Sequence, residues 1–192
     1  MSSPSNIIRA KLAEVPVLAG AELAYIGIGS NLATGQDEPV SLLQRAFAAL
    51  ALLSDYPILV SSLWTSTPVD CPPGSPRFIN AVAALRPRQS SPRQLLASLQ
   101  QIEDDFGRRR GPVRNAPRTL DLDILSFADV RMQELELTLP HPRMHERAFV
   151  LMPLLEITPD YCIPGMKRPA SALVGEISGQ GALSPIKFAK PL

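Results

Sequence analysis

The apolar positions change period several times along the chain, and each change marks an element. Leu23 to Gly29 is a nearly continuous apolar run, the pattern of a buried strand. Ser30-Asn31-Leu32 and a polar turn through Gly35 follow. Leu42, Leu43, Ala46, Leu50 and Leu53 then recur at helical spacing, so a helix is expected to begin near Asp37. Pro39 falls in its first turn, where a missing N–H does no harm. Alternation returns from Ile58 to Val69 and reads as a strand with an apolar start. Pro68, Pro72, Pro73, Gly74 and Pro76 then force a stiff loop before a second strand, Phe78 to Leu85. Ser91-Pro92 is a helix start, Leu95, Leu99, Ile102 and Phe106 line one helix face, and Gly107 stops it. Residues 108–118 have no apolar period and read as a loop. Thr119 to Phe127 is a strand, Asp129 a turn, and Val130–Met132 and Leu135–Leu139 are further short strands. Ala148 to Ile157 is apolar enough to be buried, and Pro153 points to a short helix or an irregular turn there.

The order β-α-β-β-α-β suits an α+β sandwich of the ferredoxin-like kind, with helices on one face of a largely antiparallel sheet. Residues 1–20 read as a flexible N-terminal extension outside the main fold. The domain is expected over 21–165, with extra C-terminal elements, and 166–192 is a Pro/Gly-rich C-terminal extension. No internal repeat is visible.

Composition narrows the class. The chain is 45% hydrophobic and its 19 basic residues nearly balance 18 acidic ones, which argues against disorder and against a uniformly basic nucleic-acid binder. Its 20 prolines, roughly double the average usage, exclude coiled coils and favour short elements joined by stiff loops. Cys71 and Cys162 lack zinc-ligand spacing and read as reduced thiols. With no signal-peptide pattern in Met1 to Gly20 and no long apolar run, a cytoplasmic protein without membrane association is expected.

The strongest chemical feature is Arg114-Asn115-Ala116-Pro117-Arg118-Thr119-Leu120-Asp121-Leu122-Asp123-Ile124-Leu125. On a strand, Leu120, Leu122 and Ile124 point to the core, and Asp121 and Asp123 share the other face about 6.6 Å apart. Two carboxylates that close repel unless a cation sits between them, and hard oxygen ligands on a stiff strand suit Mg²⁺. The alternative is a solvated polar face with Arg118 as partner. Just upstream, Arg108, Arg109, Arg110, Arg114 and Arg118 form a concentrated cationic stretch without an acid. His141, Arg143, His145 and Arg147 form a second cationic group. Cations that grip polyphosphate would thus flank a carboxylate pair that holds magnesium, the division of labour phosphoryl transfer requires. An RNA-binding patch is the rival for the arginines, but residues 108–126 contain no interleaved aromatics. Neither a P-loop nor a G-x-G-x-x-G is present, and Gly27 and Gly29 read first as packing glycines.

These residues resemble the 6-hydroxymethyl-7,8-dihydropterin pyrophosphokinase family. Arg114 to Leu125 looks like its signature. Ala24-Tyr25-Ile26-Gly27-Ile28-Gly29-Ser30-Asn31-Leu32 resembles its first strand, and Ser66-Thr67-Pro68-Val69 with Phe78-Ile79-Asn80-Ala81-Val82 its pterin-side segment. Leu99-Gln100-Gln101-Ile102-Glu103 before Gly107-Arg108 resembles its second helix. Pro140-His141-Pro142 with Arg147-Ala148-Phe149-Val150-Leu151 resembles its late nucleotide-side segment.

The resemblance implies a ferredoxin-like fold and transfer of pyrophosphate from ATP to the pterin hydroxymethyl group, with AMP released. It also implies two Mg²⁺ ions on Asp121 and Asp123, and Arg108 and Arg118 as catalytic cations. Gln100, Glu103, Arg110, Arg114, Thr138, His141 and Arg147 match ATP-side positions. Ser66, Thr67, Pro68, Val69, Phe78, Asn80 and Phe149 match the pterin pocket. Asn115-Ala116 stands where many members have Trp-Gly, and Glu136 where some have arginine. The expected partners are small molecules alone, ATP and the pterin, with no nucleic acid, membrane or obligate protein partner. An RNA-binding module and a non-catalytic relative remain the rival readings, and the intact aspartate pair argues against the second.

Overall fold

The computed structural model describes residues 7–18, 20–35, 37–109, 116–177 and 181–186. In chain order, strands β1 (Ile7–Ile8) and β2 (Ala24–Ser30) precede helix α1 (Pro39–Ala51). β3 (Ile58–Val60), β4 (Trp64–Ser66) and β5 (Phe78–Leu85) follow, then α2 (Pro92–Asp105) and β6 (Asp121–Phe127). A small hairpin, β7 (Met132–Gln133) and β8 (Thr138–Leu139), leads into α3 (Ala148–Ile157), α4 (Ala170–Val174) and β9 (Leu183–Pro185). The main sheet runs β1-β3-β5-β2-β6, with β4 also on β5 and β9 on β4. Every pairing in it is antiparallel except β1 with β3.

Local chemistry explains the helix ends. Ser91 caps α2 by accepting from the Gln94 N–H at 3.3 Å, and Pro92 takes the first helical position. Gly107, at φ +76°, turns the chain out of α2 as expected. Pro39 opens α1 in the same way.

One face of the sheet packs against α1 and α2. Ala24, Ile26 and Ile28 of β2, Ala81 and Ala83 of β5, and Leu122 and Ile124 of β6 meet Leu43, Ala46, Phe47 and Leu50 of α1 and Leu95 and Leu99 of α2. The opposite face carries Tyr25, Leu59, Val82, Ala84 and Leu125, which pack against Val150, Leu151, Leu154 and Ile157 of α3. The architecture is therefore α+β, but helices cover both faces where one was expected. The reason lies in β2, β5 and β6, which carry apolar residues on both faces along half their length.

Other expectations are corrected too. The leader does not lie outside the fold: Ile7–Ile8 pairs with β3, and Val15 and Leu18 are buried in the second core. Ile7 packs against the first core and Ile8 against the second. The C-terminal stretch is likewise incorporated, through Ala170, buried in that core, and through β9. The strand expected over 58–69 breaks at Ser61–Leu63, where the Ser61 N–H still donates to the Val82 carbonyl at 2.9 Å but side chains take two other backbone N–H groups. Ser61 Oγ accepts from the Val82 N–H at 3.0 Å. Glu156 of α3 accepts from the Ser62 N–H at 2.7 Å and from Trp64 Nε1 at 2.9 Å. The strands expected over 130–132 and 135–139 shrink to the two-residue arms of the β7–β8 hairpin. Cys71 and Cys162 are both free thiols. None of the described helices is long and apolar enough to cross a membrane.

Candidate active site

α3 covers only one end of the second sheet face. The other end is open and forms a cavity of about 280 Å³. Strand register builds its floor. Across β5, β2 and β6, Asn80, Gly29 and Asp121 lie in one row, and Val82, Gly27 and Asp123 in the next. Each glycine thus sits between two side-chain-bearing neighbours and contributes only backbone. A Cβ on Gly29 would lie 3.7 Å from Asn80 Oδ1 and 3.8 Å from both Asp121 Cβ and Phe78 Cδ1, inside the cavity. At Gly27 the neighbour is Leu125, whose Cδ2 would be 3.2 Å away. The packing role expected of the glycines holds for Gly27, whereas Gly29 keeps the trough open.

Asp121 and Asp123 line this cavity together, on the face opposite Leu122 and Ile124. Arg118 Nη1 donates to Asp121 Oδ2 at 2.8 Å, and Arg108 Nη1 donates to Asp121 Oδ1. Arg108 also pairs with Glu103 and donates to the Leu120 carbonyl at 3.2 Å. Burial works to lower the Arg108 pKa, but Asp121 and Glu103 outweigh it, and the net shift is upward. Asp123 behaves differently. Burial first, and then the neighbouring charge of Asp121, push its carboxyl up to about 7, against the lesser pull of Arg147. A half-buried carboxylate pair whose second member resists ionisation is a site short of positive charge, and this donor set fits a hard divalent cation. Mg²⁺ takes one or two protein carboxylates and completes its shell with phosphate and water. Among the described residues no group of three or more His, Cys, Asp or Glu side chains is placed to hold a metal ion.

Glu103 was expected on the nucleotide side. It is 3% exposed and does not line the cavity. It accepts from the Leu122 N–H at 2.8 Å and pairs with Arg108, so it fixes α2 to β6 beneath the aspartates. Gln100 and Pro68 also lie outside the cavity lining, and Thr138 lines a separate depression shared with His141. Arg110 and Arg114 lie outside the described residues.

His141 and Arg147 do reach the cavity, together with Arg143. The His141 N–H donates to the Leu125 carbonyl at 2.8 Å, and His141 Nδ1 accepts from the Arg143 N–H at 3.1 Å. Burial and Arg147 lower its pKa to about 4, so the ring is neutral and carries its proton on Nε2. Burial and Arg143 also lower the Arg147 pKa. Ser66, Thr67, Val69, Phe78 and Asn80 also line the cavity, and Phe149 lines it beside Arg147, whose guanidinium lies 5.5 Å from the Phe149 ring centroid. Asn80, 5% exposed, donates from Nδ2 to Ser66 Oγ at 2.9 Å, which orients its amide.

Two further residues carried no motif that singled them out. Asn31, buried at the end of β2, accepts from the Arg118 N–H at 2.8 Å and donates from Nδ2 to the Pro76 carbonyl at 3.3 Å. It thereby ties the arginine-bearing segment to the proline loop. Asp70 pairs with Arg143 Nη2 at 2.5 Å, linking the two walls, and both residues line the cavity.

The chain matches the family described as 7,8-dihydro-6-hydroxymethylpterin-pyrophosphokinase (HPPK) over residues 25–159. It is 43% identical over 142 residues to the 2-amino-4-hydroxy-6-hydroxymethyldihydropteridine pyrophosphokinase of Haemophilus influenzae, covering 73% of this chain and 84% of that one. The protein of the same name from Synechocystis is 38% identical over 154 residues, covering 80% and 75% respectively. Among solved structures, Plasmodium falciparum HPPK-DHPS with pteroate shares the fold, with TM-score 0.62 at 14% identity. That match covers 81% of this chain and 44% of the Plasmodium chain.

Proposed function

The chain belongs to the 7,8-dihydro-6-hydroxymethylpterin-pyrophosphokinase family, and from that premise we propose how its cavity performs the family's reaction. It transfers pyrophosphate from ATP to the hydroxymethyl group of 6-hydroxymethyl-7,8-dihydropterin in folate biosynthesis. The observation that carries the assignment of parts is the row Asn80–Gly29–Asp121. A planar ring laid on the glycine floor meets an oriented amide on one side, and its hydroxymethyl arm points toward carboxylates on the other. Phe78 and Phe149 supply aromatic surface for the ring, and Asn80 Oδ1 accepts from its edge.

Asp121 and Asp123 would hold magnesium, two ions by the family resemblance, and a bound ion would neutralise polyphosphate charge. Arg108 and Arg118, now paired with Asp121, are placed to receive charge on the transferred group. Arg143, Arg147 and neutral His141 face the nucleotide side, and by the family resemblance Arg110 and Arg114 would join them on ATP. The pterin hydroxyl oxygen attacks the β-phosphorus in line. The new O–P bond forms as the bond to the α-phosphate oxygen breaks, and AMP leaves with that oxygen. No covalent enzyme intermediate is formed.

Incubation with Mg-ATP and 6-hydroxymethyl-7,8-dihydropterin is expected to give AMP and the pterin diphosphate in equal amounts, and chelation of magnesium to stop it. ADP in place of AMP, or turnover unaffected by chelation, would overturn this reading. A second expectation concerns the floor. Gly29→Val should fold with a melting temperature within a few degrees of the parent, since a Cβ there makes only ordinary contacts, at 3.7 to 3.8 Å, on the cavity side. It should raise the pterin KM at least about tenfold, the equivalent of one lost good contact. An unchanged pterin KM would remove the ring from this floor.

A further inference from the structure

The proposed pterin wall has an outer neighbour that lies beyond the stretch matched to the family, residues 25–159. β9 pairs with β4 antiparallel, with Trp64 opposite Pro185, Thr65 opposite Ser184 and Ser66 opposite Leu183. The pairing continues past both ends of β4. The Ile186 N–H donates to the Leu63 carbonyl at 2.7 Å, and the Thr67 N–H donates to the Ala182 carbonyl at 3.2 Å. Gly181 presses against Thr67 so closely that a Cβ there would lie 2.1 Å from Thr67 Oγ1, and its φ of +68° also disfavours a side chain. Arg77 adds a clamp, donating from Nε to Thr65 Oγ1 at 3.1 Å and from Nη2 to the Ala182 carbonyl at 3.4 Å.

β4 is only three residues long and would otherwise be a sheet edge. Its residues lead directly into the cavity: Ser66 and Thr67 line it, and Ser66 Oγ orients the Asn80 amide. We propose that residues 181–186 act as a positioning strap for the pterin wall, holding Ser66, Thr67 and through them Asn80 in binding geometry. The proposal rests on the placement of pterin at this wall. It predicts that the strap matters for one substrate and not the other, because Asp121, Asp123, His141 and Arg147 make no contact with it in the pairings above.

The test compares steady-state kinetics of the full chain, a chain ending at Ile177, and the single variant Gly181→Val, with Asn80→Ala as control. Truncation and Gly181→Val are each expected to raise the pterin KM about tenfold or more while the ATP KM stays within about twofold. If the shortened chain gives no cooperative unfolding transition, Gly181→Val alone carries the test. A folded strap variant with unchanged pterin KM, or with both KM values moving together, overturns the proposal. An Asn80→Ala protein with unchanged pterin KM overturns instead the placement of pterin on which it rests.

Discussion

Asp123→Asn is expected to lose pyrophosphoryl transfer by on the order of 10³-fold and, in the same preparation, to be harder to unfold at pH 8 than the parent. Both effects come from one property. Burial and Asp121 push the Asp123 carboxyl up to about 7 in the folded protein, against an ordinary carboxylate value near 4 when unfolded. Between those two values the folded chain retains a proton that the unfolded chain has released. Stability therefore falls as pH rises from about 4 to about 7, and the whole penalty is present above that. An amide cannot ionise, so Asn removes the penalty, by on the order of 1 to 4 kcal/mol at pH 8 and by nothing near pH 4. Thermal unfolding of both proteins without metal, at pH 4, 6 and 8, measures the difference. Equal melting temperatures at all three would show that Asp123 is not strained by its surroundings. Full activity in the variant would remove it from the reaction.

The second large effect is structural. Glu103→Ala is expected to destabilise the protein by about 3 kcal/mol, in the range for breaking a buried ion pair from one side. The loss strands the Leu122 N–H and removes one of the two carboxylates that Arg108 pairs with among the described residues. Glu103→Gln should recover much of the stability, since an amide oxygen can still accept from Leu122, but less of the activity, since Arg108 loses a charge partner. Denaturant unfolding and kcat measured on both variants separate these roles. A Glu103→Ala protein as stable as the parent, but with a raised ATP KM, would return Glu103 to the nucleotide side where the motif first placed it.

That last contrast shows what a single sequence can and cannot carry. Alternation on β6 was enough to put Asp121 and Asp123 on one face and Leu122 and Ile124 on the other, because strand geometry is local. The caps of α2 were equally legible, since Ser91, Pro92 and Gly107 act within a few residues. What escaped reading depends on neighbours far along the chain. Glu103 is a helix residue with a charge, and only its packing against β6 makes it internal. The break after Val60 follows from Glu156, more than ninety residues later, taking the Ser62 N–H. Gly29 becomes part of the site because Asn80 and Asp121 happen to flank it across two ladders. The leader looked dispensable because Ile7, Ile8, Val15 and Leu18 form no periodic set, yet Ile7 packs on the first core and Ile8, Val15 and Leu18 on the second.

The backbone floor has a consequence for how this cavity can change over time. Substitution at Gly27 or Gly29 can add atoms but can never take any away, so mutation has no means of deepening the trough from below. A competitive inhibitor that presses on that floor is opposed by peptide groups that every codon encodes alike. Tolerance to such a compound must come from the walls, through the proline loop around Asp70 and Cys71 or the segment from His141 to Phe149. Those are the positions to sequence in a resistant population.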